Sequence, residues 1–106
     1  MELTGKKAHF IGIAGVGMSA LAQMLADHGA RITGSDREES PVTELLEKHG
    51  IRAVIGQRAE NVPEDADVIV YSDSVPESNP ERVRTRELSI PSFSYFQMLG
   101  KVSEGK

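Results

Sequence analysis

The chain has 106 residues, 39% of them apolar, which suits one domain around a single core of ordinary size. Its 16 acidic and 12 basic residues give a formal charge of -4 and form no block of like charge, which argues against a nucleic-acid partner. The absence of cysteine excludes disulfides and thiolate metal sites, and His9, His28 and His49 stand too far apart in sequence to suggest a metal site.

Lys6 and Lys7 precede an apolar run from Phe10 to Ala26, superficially like the start of a signal peptide. Gly12, Gly15 and Gly17 interrupt that run and suit a turn better than a continuous helix. The run also contains Gln23 and is shorter than the roughly 20 residues of a membrane span. The expectation is a soluble cytoplasmic protein with no membrane insertion.

Residues 8–13 form a short apolar run that leads into a cluster of glycines, the pattern of a buried parallel strand. Met18, Leu21, Ala22 and Leu25 then recur at i, i+3, i+4 and i+7, which predicts an amphipathic helix closed by Gly29. The unit repeats. Residues 30–33 read as a second strand, and Ser40-Pro41 as the cap and first position of a helix burying Val42, Leu45 and Leu46 and stopping at Gly50. Residues 52–55 and 67–71 supply a third and a fourth strand, with a loop or short turn over 56–66. Asn79-Pro80-Glu81 opens a third helix running to about Leu88. Residues 90–93 make a fifth strand, with Pro91 marking an edge or strand start, and a last helix from about Ser94 places Tyr95, Leu99 and Val102 on one face.

Strands joined through helices in this alternation make an open α/β sheet, Rossmann-like and doubly wound, mainly parallel, of about five strands with helices on both faces. Ligands of such sheets bind beyond the carboxyl ends of the strands, where the strand order reverses. Three loops are therefore candidates: 12–18, 34–37 and 72–79.

The first loop carries Gly15-Val16-Gly17-Met18-Ser19-Ala20, a Gly-x-Gly-x-x-Ala pattern between a predicted strand and a predicted helix. Glycines there let the backbone approach a phosphate, and the helix N-terminus offers unpaired N–H groups and a positive dipole end. A diphosphate is the natural guest; the plainer reading is a tight strand-to-helix turn. Asp36 follows the second strand, where an acidic side chain in this fold accepts from ribose hydroxyls, or simply from local backbone donors. These features alone leave open a nicotinamide dinucleotide, a flavin or another nucleoside diphosphate, so an NAD(P)-binding regulator or oxidoreductase domain is the alternative.

The glycine turn after His9-Phe10-Ile11, the triplet Gly34-Ser35-Asp36, the segment from Tyr71 through Ser72, Ser74 and Asn79 to Glu81, and the run Arg86 to Pro91 together resemble the Mur ligase family. Within it they are most similar to the members that join L-alanine to UDP-N-acetylmuramate. The resemblance implies a single N-terminal UDP-sugar-binding domain over residues 1–106, with Gly15, Val16, Gly17, Met18 and Ser19 on the diphosphate, Ser35 and Asp36 near the uridine, and Ser72, Ser74 and Asn79 bordering the site. For Ser72 and Ser74 the plainer reading is strand-end turn chemistry, and for Asn79 a helix cap. Ser74 departs from the alanine more usual in that family, and Met18-Ser19 suits the L-alanine-adding members better than the peptide-recycling ones, with a related Mur-type ligase acting on another amino acid or peptide as a further alternative. The family's Gly-Thr-His-Gly-Lys phosphate loop does not occur in the sequence. The resemblance thus implies ATP and Mg for the full-length enzyme and no cofactor in this domain, with ATP-binding and C-terminal domains as partners and no catalysis by this part alone.

Overall fold

A computed structural model of the chain describes residues 2–104. Five strands, β1 (Lys7–Ile11), β2 (Arg31–Asp36), β3 (Arg52–Ile55), β4 (Val68–Tyr71) and β5 (Ser92–Ser94), alternate with helices α1 (Met18–Asp27), α2 (Pro41–Lys48), α3 (Pro80–Glu87) and α4 (Tyr95–Glu104). The sheet order is β3-β2-β1-β4-β5, and every pairing is parallel. The chain moves outward from β1 to β3, then crosses to β4 on the other side of β1. The order therefore reverses beside β1, which makes its carboxyl end the switch point.

Alternation along the central strands divides the core between the two faces. Phe10 and Val70, paired in register, pack with Leu21, Ala22 and Leu25 of α1, Leu46 of α2 and Met98 of α4. Ile11 and Ile69 point the other way and pack with Val62, Val75 and Ile90, on the side closed by α3 and a 3₁₀ turn at Ala59–Asn61. Both faces of the central strands are covered, which is why β1 and β4 read as continuous apolar runs.

The α1 stripe is buried as its periodicity predicts, and Gly29 ends the helix at φ +96°. Other expectations shift. β1 stops at Ile11, two residues short of the apolar run, because Gly12 at φ +81° turns the backbone out of the ladder. β2 runs on to Asp36, since its later residues hydrogen-bond on both sides, to β1 and to β3. Gly34 is required at that point: a β-carbon there would stand 2.5 Å from Ile13 Cδ1. β5 begins at Ser92; Ile90 lies before it, buried against Ile11 and Ile69.

In α2, Leu45 is exposed, and Thr43 is buried with Leu46. Thr43 can be buried because its hydroxyl is satisfied: it donates to the Ser40 carbonyl and accepts from the Ser40 amide, while the Ser40 hydroxyl accepts from Thr43 N. In α4 the inward face is Tyr95, Met98 and Val102, and Leu99 is partly exposed. Met98 and Leu99 are equally apolar, and only the docking angle of α4 on the sheet distinguishes them.

Candidate nucleotide site

Beyond the carboxyl ends of the strands lies an open cavity of about 470 Å³, walled by the glycine turn (Gly12, Ala14, Gly15), the end of β2 with the loop to α2 (Asp36, Arg37, Glu38, Ser40), Gln57, and the β4–α3 loop (Ser74, Val75, Pro76). All three loops singled out by topology meet there.

The glycine turn is held from below by the sheet. The Ser35 carbonyl accepts from Gly12 N at 2.9 Å and Ile13 N at 3.0 Å. Asp36 Oδ2 accepts from Ala14 N at 2.9 Å, and Oδ1 accepts from its neighbour Arg37 N at 2.8 Å. Within the turn, Gly15 N donates to Gly12 O and Met18 N to Gly15 O, each at 3.0 Å. The amides of Val16 and Gly17 have no acceptor among the described residues, so the turn presents two free donors at the start of α1. Gly17 is the N-cap, at φ +80° and without a side-chain cap.

The residues expected at the site take different places. Gly15, Asp36 and Ser74 line the cavity. Val16 stands fully exposed at the tip of the turn, and Ser19 is half-exposed in the first turn of α1. Met18 is buried in the core with its amide already bonded inside the turn, so that N–H is not available to a phosphate. The Ser35 side chain is fully buried and its hydroxyl has no partner, while its carbonyl carries the turn. Ser72 and Ser74 do strand-end turn chemistry: their hydroxyls lie 3.0 Å apart, and Ser74 N donates to Ser72 Oγ at 3.3 Å. Asn79 caps α3, its side-chain oxygen accepting from Glu81 N at 2.8 Å and Arg82 N at 3.4 Å.

Two features escaped the sequence reading. Gln57 lines the cavity, and its Oε1 accepts from Asn79 Nδ2 at 2.8 Å, which joins the β3 loop to the cap of α3. Its position just after β3, at the carboxyl edge of the sheet, was the available signal. The second feature is a buried polar network beneath the site. His9 Nε2 lies 2.7 Å from Glu81 Oε1, both side chains almost completely buried, and His9 Nδ1 lies 2.8 Å from Thr33 Oγ1. Glu81 Oε2 accepts from Arg58 N at 3.2 Å and Asn61 Nδ2 at 3.0 Å, and the same Asn61 amide donates to Gly56 O at 2.7 Å. A carboxylate at the start of α3 also suits the helix dipole. The network ties β1, β2 and α3 to the loop that carries Gln57.

The resolved pKa shifts lie away from this cavity. A hydrogen bond from Lys7, at the start of β1, holds the Asp65 carboxyl below its ordinary value, and hydrogen bonds from Thr4 do the same for Glu2. No group of three or more His, Cys, Asp or Glu side chains that would hold a metal ion occurs among the described residues.

Fold and site define a doubly wound α/β domain with a glycine turn at its switch point, built in the manner of nucleotide-binding domains. Residues 7–106 match the model of the Mur ligase family, catalytic domain, and the chain belongs to that family. It is 44% identical over 100 residues to a UDP-N-acetylmuramate–L-alanine ligase of Clostridium novyi, covering 94% of this chain and 22% of the relative. Among solved structures, UDP-N-acetylmuramate-alanine ligase of Thermotoga maritima superposes with a TM-score of 0.88 at 34% identity, over 92% of this chain and 23% of that one. UDP-N-acetylmuramate:L-alanyl-gamma-D-glutamyl-meso-diaminopimelate ligase of Neisseria meningitides superposes with a TM-score of 0.82 at 30% identity, over 91% of this chain and 30% of that one. The chain thus spans about a fifth of the length of the Clostridium novyi relative.

Proposed function

We propose that this chain binds the UDP part of UDP-N-acetylmuramate as the first domain of an ATP-dependent ligase that adds L-alanine during peptidoglycan precursor synthesis in the cytoplasm. The observation that carries the reading is the pair of free amides, Val16 and Gly17, at the start of α1 beside the switch-point cavity. Two adjacent N–H donors at a helix N-terminus suit a diphosphate, and the cavity beside them has room for a nucleoside. The chain's 44% identity to a UDP-N-acetylmuramate–L-alanine ligase supports uridine over other nucleosides, and L-alanine over the peptide taken by the ligase to which it is 30% identical.

In this reading the diphosphate lies on the turn with Ser19 beside it. Ser35 and Asp36 hold the turn from below, and the uridine occupies the cavity between Asp36 and the loop bearing Ser74. Asn79 acts through Gln57. Amide-bond formation needs ATP and Mg and an acyl phosphate for the amine to attack. The family's ATP phosphate loop does not occur in this sequence, so the reading assigns these residues to substrate binding. ATP-binding and C-terminal domains of the same enzyme would supply the chemistry, and this domain by itself binds without catalysing.

Amide chemical shifts recorded while UDP is added test the placement of the diphosphate. The Val16 and Gly17 resonances are expected to move most, with Ser19 next. Shifts confined to surfaces away from the carboxyl edge of the sheet would refute the reading.

A further inference from the structure

Arg82, Arg84 and Arg86 lie close together on α3, and the sequence suggests for them a solvated face with local glutamate partners. Only Arg84 fits that pattern, with Glu87 at 3.3 Å and Glu64 at 4.0 Å. Arg82 instead donates through Nη1 to the carbonyl of Val75 at 3.1 Å, while its guanidinium lies 3.8 Å from the centroid of the Tyr71 ring at the end of β4. Arg86, one turn on, donates through Nη2 to the carbonyl of Glu77 at 2.9 Å. Both carbonyls belong to the β4–α3 loop, and residues 74–76 of that loop form one wall of the cavity.

We infer that Arg82 and Arg86 are positioning residues for the nucleotide site, clamping the β4–α3 loop from outside so that its inner side stays against the glycine turn. The inference rests on the UDP-site reading above. The hydrogen bonds inside the loop, Val75 N to Ser72 O and Asn79 N to Pro76 O, close local turns; Ser72 N to Ile11 O and the buried Val75 side chain hold its inner side to the sheet, and the two arginines hold its outer side. The contact with the turn is tight, since a β-carbon on Gly12 would stand 3.2 Å from Val75 Cγ2. Arg82, stacked on the Tyr71 ring, ties the carbonyl of that same Val75 to α3 and so helps set the position of the wall. The site at Arg82 calls for a planar cation that stacks and donates at once, which arginine does and lysine does not. Arg86 makes only a single donation, which lysine can replace.

The experiment uses this chain as Arg82→Met, Arg86→Met, the double variant, Arg82→Lys and Arg86→Lys, with two readouts: amide hydrogen exchange without ligand, and titration with UDP. In the double variant the Val75 and Asn79 amides are expected to exchange about tenfold faster while those of β1 and β4 keep their rates, because the opening is local. UDP affinity is expected to fall about tenfold in the double variant, to recover in Arg86→Lys and to stay low in Arg82→Lys. If the double variant fails to fold, the single variants carry the same comparison with smaller shifts. Unchanged exchange at Val75 and Asn79 overturns the clamp whatever the ligand result. Faster exchange with unaltered UDP affinity overturns its role in binding, and a wild-type chain that ignores UDP overturns the functional reading and the arginines' role with it.

Discussion

The hydroxyl of Tyr95, the first residue of α4, packs over Gly17 so closely that a β-carbon on Gly17 would stand 2.5 Å from the hydroxyl oxygen and 2.6 Å from Cζ of the ring. Gly17 also holds φ +80°, so the position excludes a side chain both by its backbone and by its neighbour. The Tyr95 ring thereby reaches from the start of α4 to the start of α1 at the carboxyl edge of the sheet. Gly17→Ala is expected to destabilise the domain by about 1–2 kcal/mol from the backbone alone, with the displaced ring adding to it. Urea unfolding measures this, and pairing Gly17→Ala with Tyr95→Ala should recover the part due to the ring and leave the backbone part. Full recovery in the pair would show that the left-handed backbone costs nothing.

The buried contact between His9 and Glu81 yields a second prediction. Glu81→Ala leaves His9 Nε2 and the Arg58 amide without their acceptor in a closed layer and removes one of the two acceptors of the Asn61 amide. Leaving buried hydrogen-bonding groups unsatisfied costs about 1–3 kcal/mol each, which makes about 3–5 kcal/mol together once the layer relaxes. The expected result in urea unfolding is a loss of that size. A loss below about 1 kcal/mol would mean that water enters and replaces the carboxylate.

Lys7 and Asp65 set the opposite limit. The Asp65 carboxyl is held below its ordinary value by the Lys7 hydrogen bond, so its contribution to stability is present above the unfolded-state pKa and disappears as pH falls through the lower folded-state pKa. Asp65 lies at the exposed surface, where such pairs contribute little. Asp65→Asn should leave the thermal midpoint at neutral pH nearly unchanged and slightly flatten its decline in acid. A drop of many degrees at neutral pH would mean that the pair carries structural weight.

Asp36 joins the turn to the sheet through Ala14 N. Hydrogen bonds to a charged acceptor contribute about 1.5–3 kcal/mol each when well formed, and partial exposure reduces that. Asp36→Ala is expected to cost about 1 kcal/mol of stability and to weaken UDP binding by more than that loss alone explains, through disorder in the glycine turn. Unaltered UDP affinity in a folded Asp36→Ala chain would remove Asp36 from the site.

The parts of the molecule that sequence reveals are those fixed locally. The α1 stripe, the proline-marked starts of α2 and α3 and the glycine that ends α1 follow from short-range periodicity and capping, and the structure carries them as expected. Strand limits depend on neighbours: β2 extends to Asp36 only because β1 and β3 flank it. The choice of Thr43 over Leu45, or Met98 over Leu99, depends on how a helix docks, which composition does not encode. Within the site, the glycine turn and Asp36 are legible because fold class dictates their place. Gln57 is legible only by its place just after β3, and its bond to Asn79 and the His9–Glu81 network are not legible, because partners separated by 22 and 72 residues meet only after the sheet has assembled.

The switch-point cavity, on the proposed reading, takes a uridine diphosphate group. Calorimetric titration of this chain with UDP-N-acetylmuramate, UDP and NADH in parallel tests it most directly, repeated with Gly17→Val and Asp36→Ala once each variant is shown to be folded. Saturable binding of both uridine ligands is expected, weakened or lost in the two variants, with no binding of NADH. Binding of NADH with no response to either uridine ligand would contradict the reading.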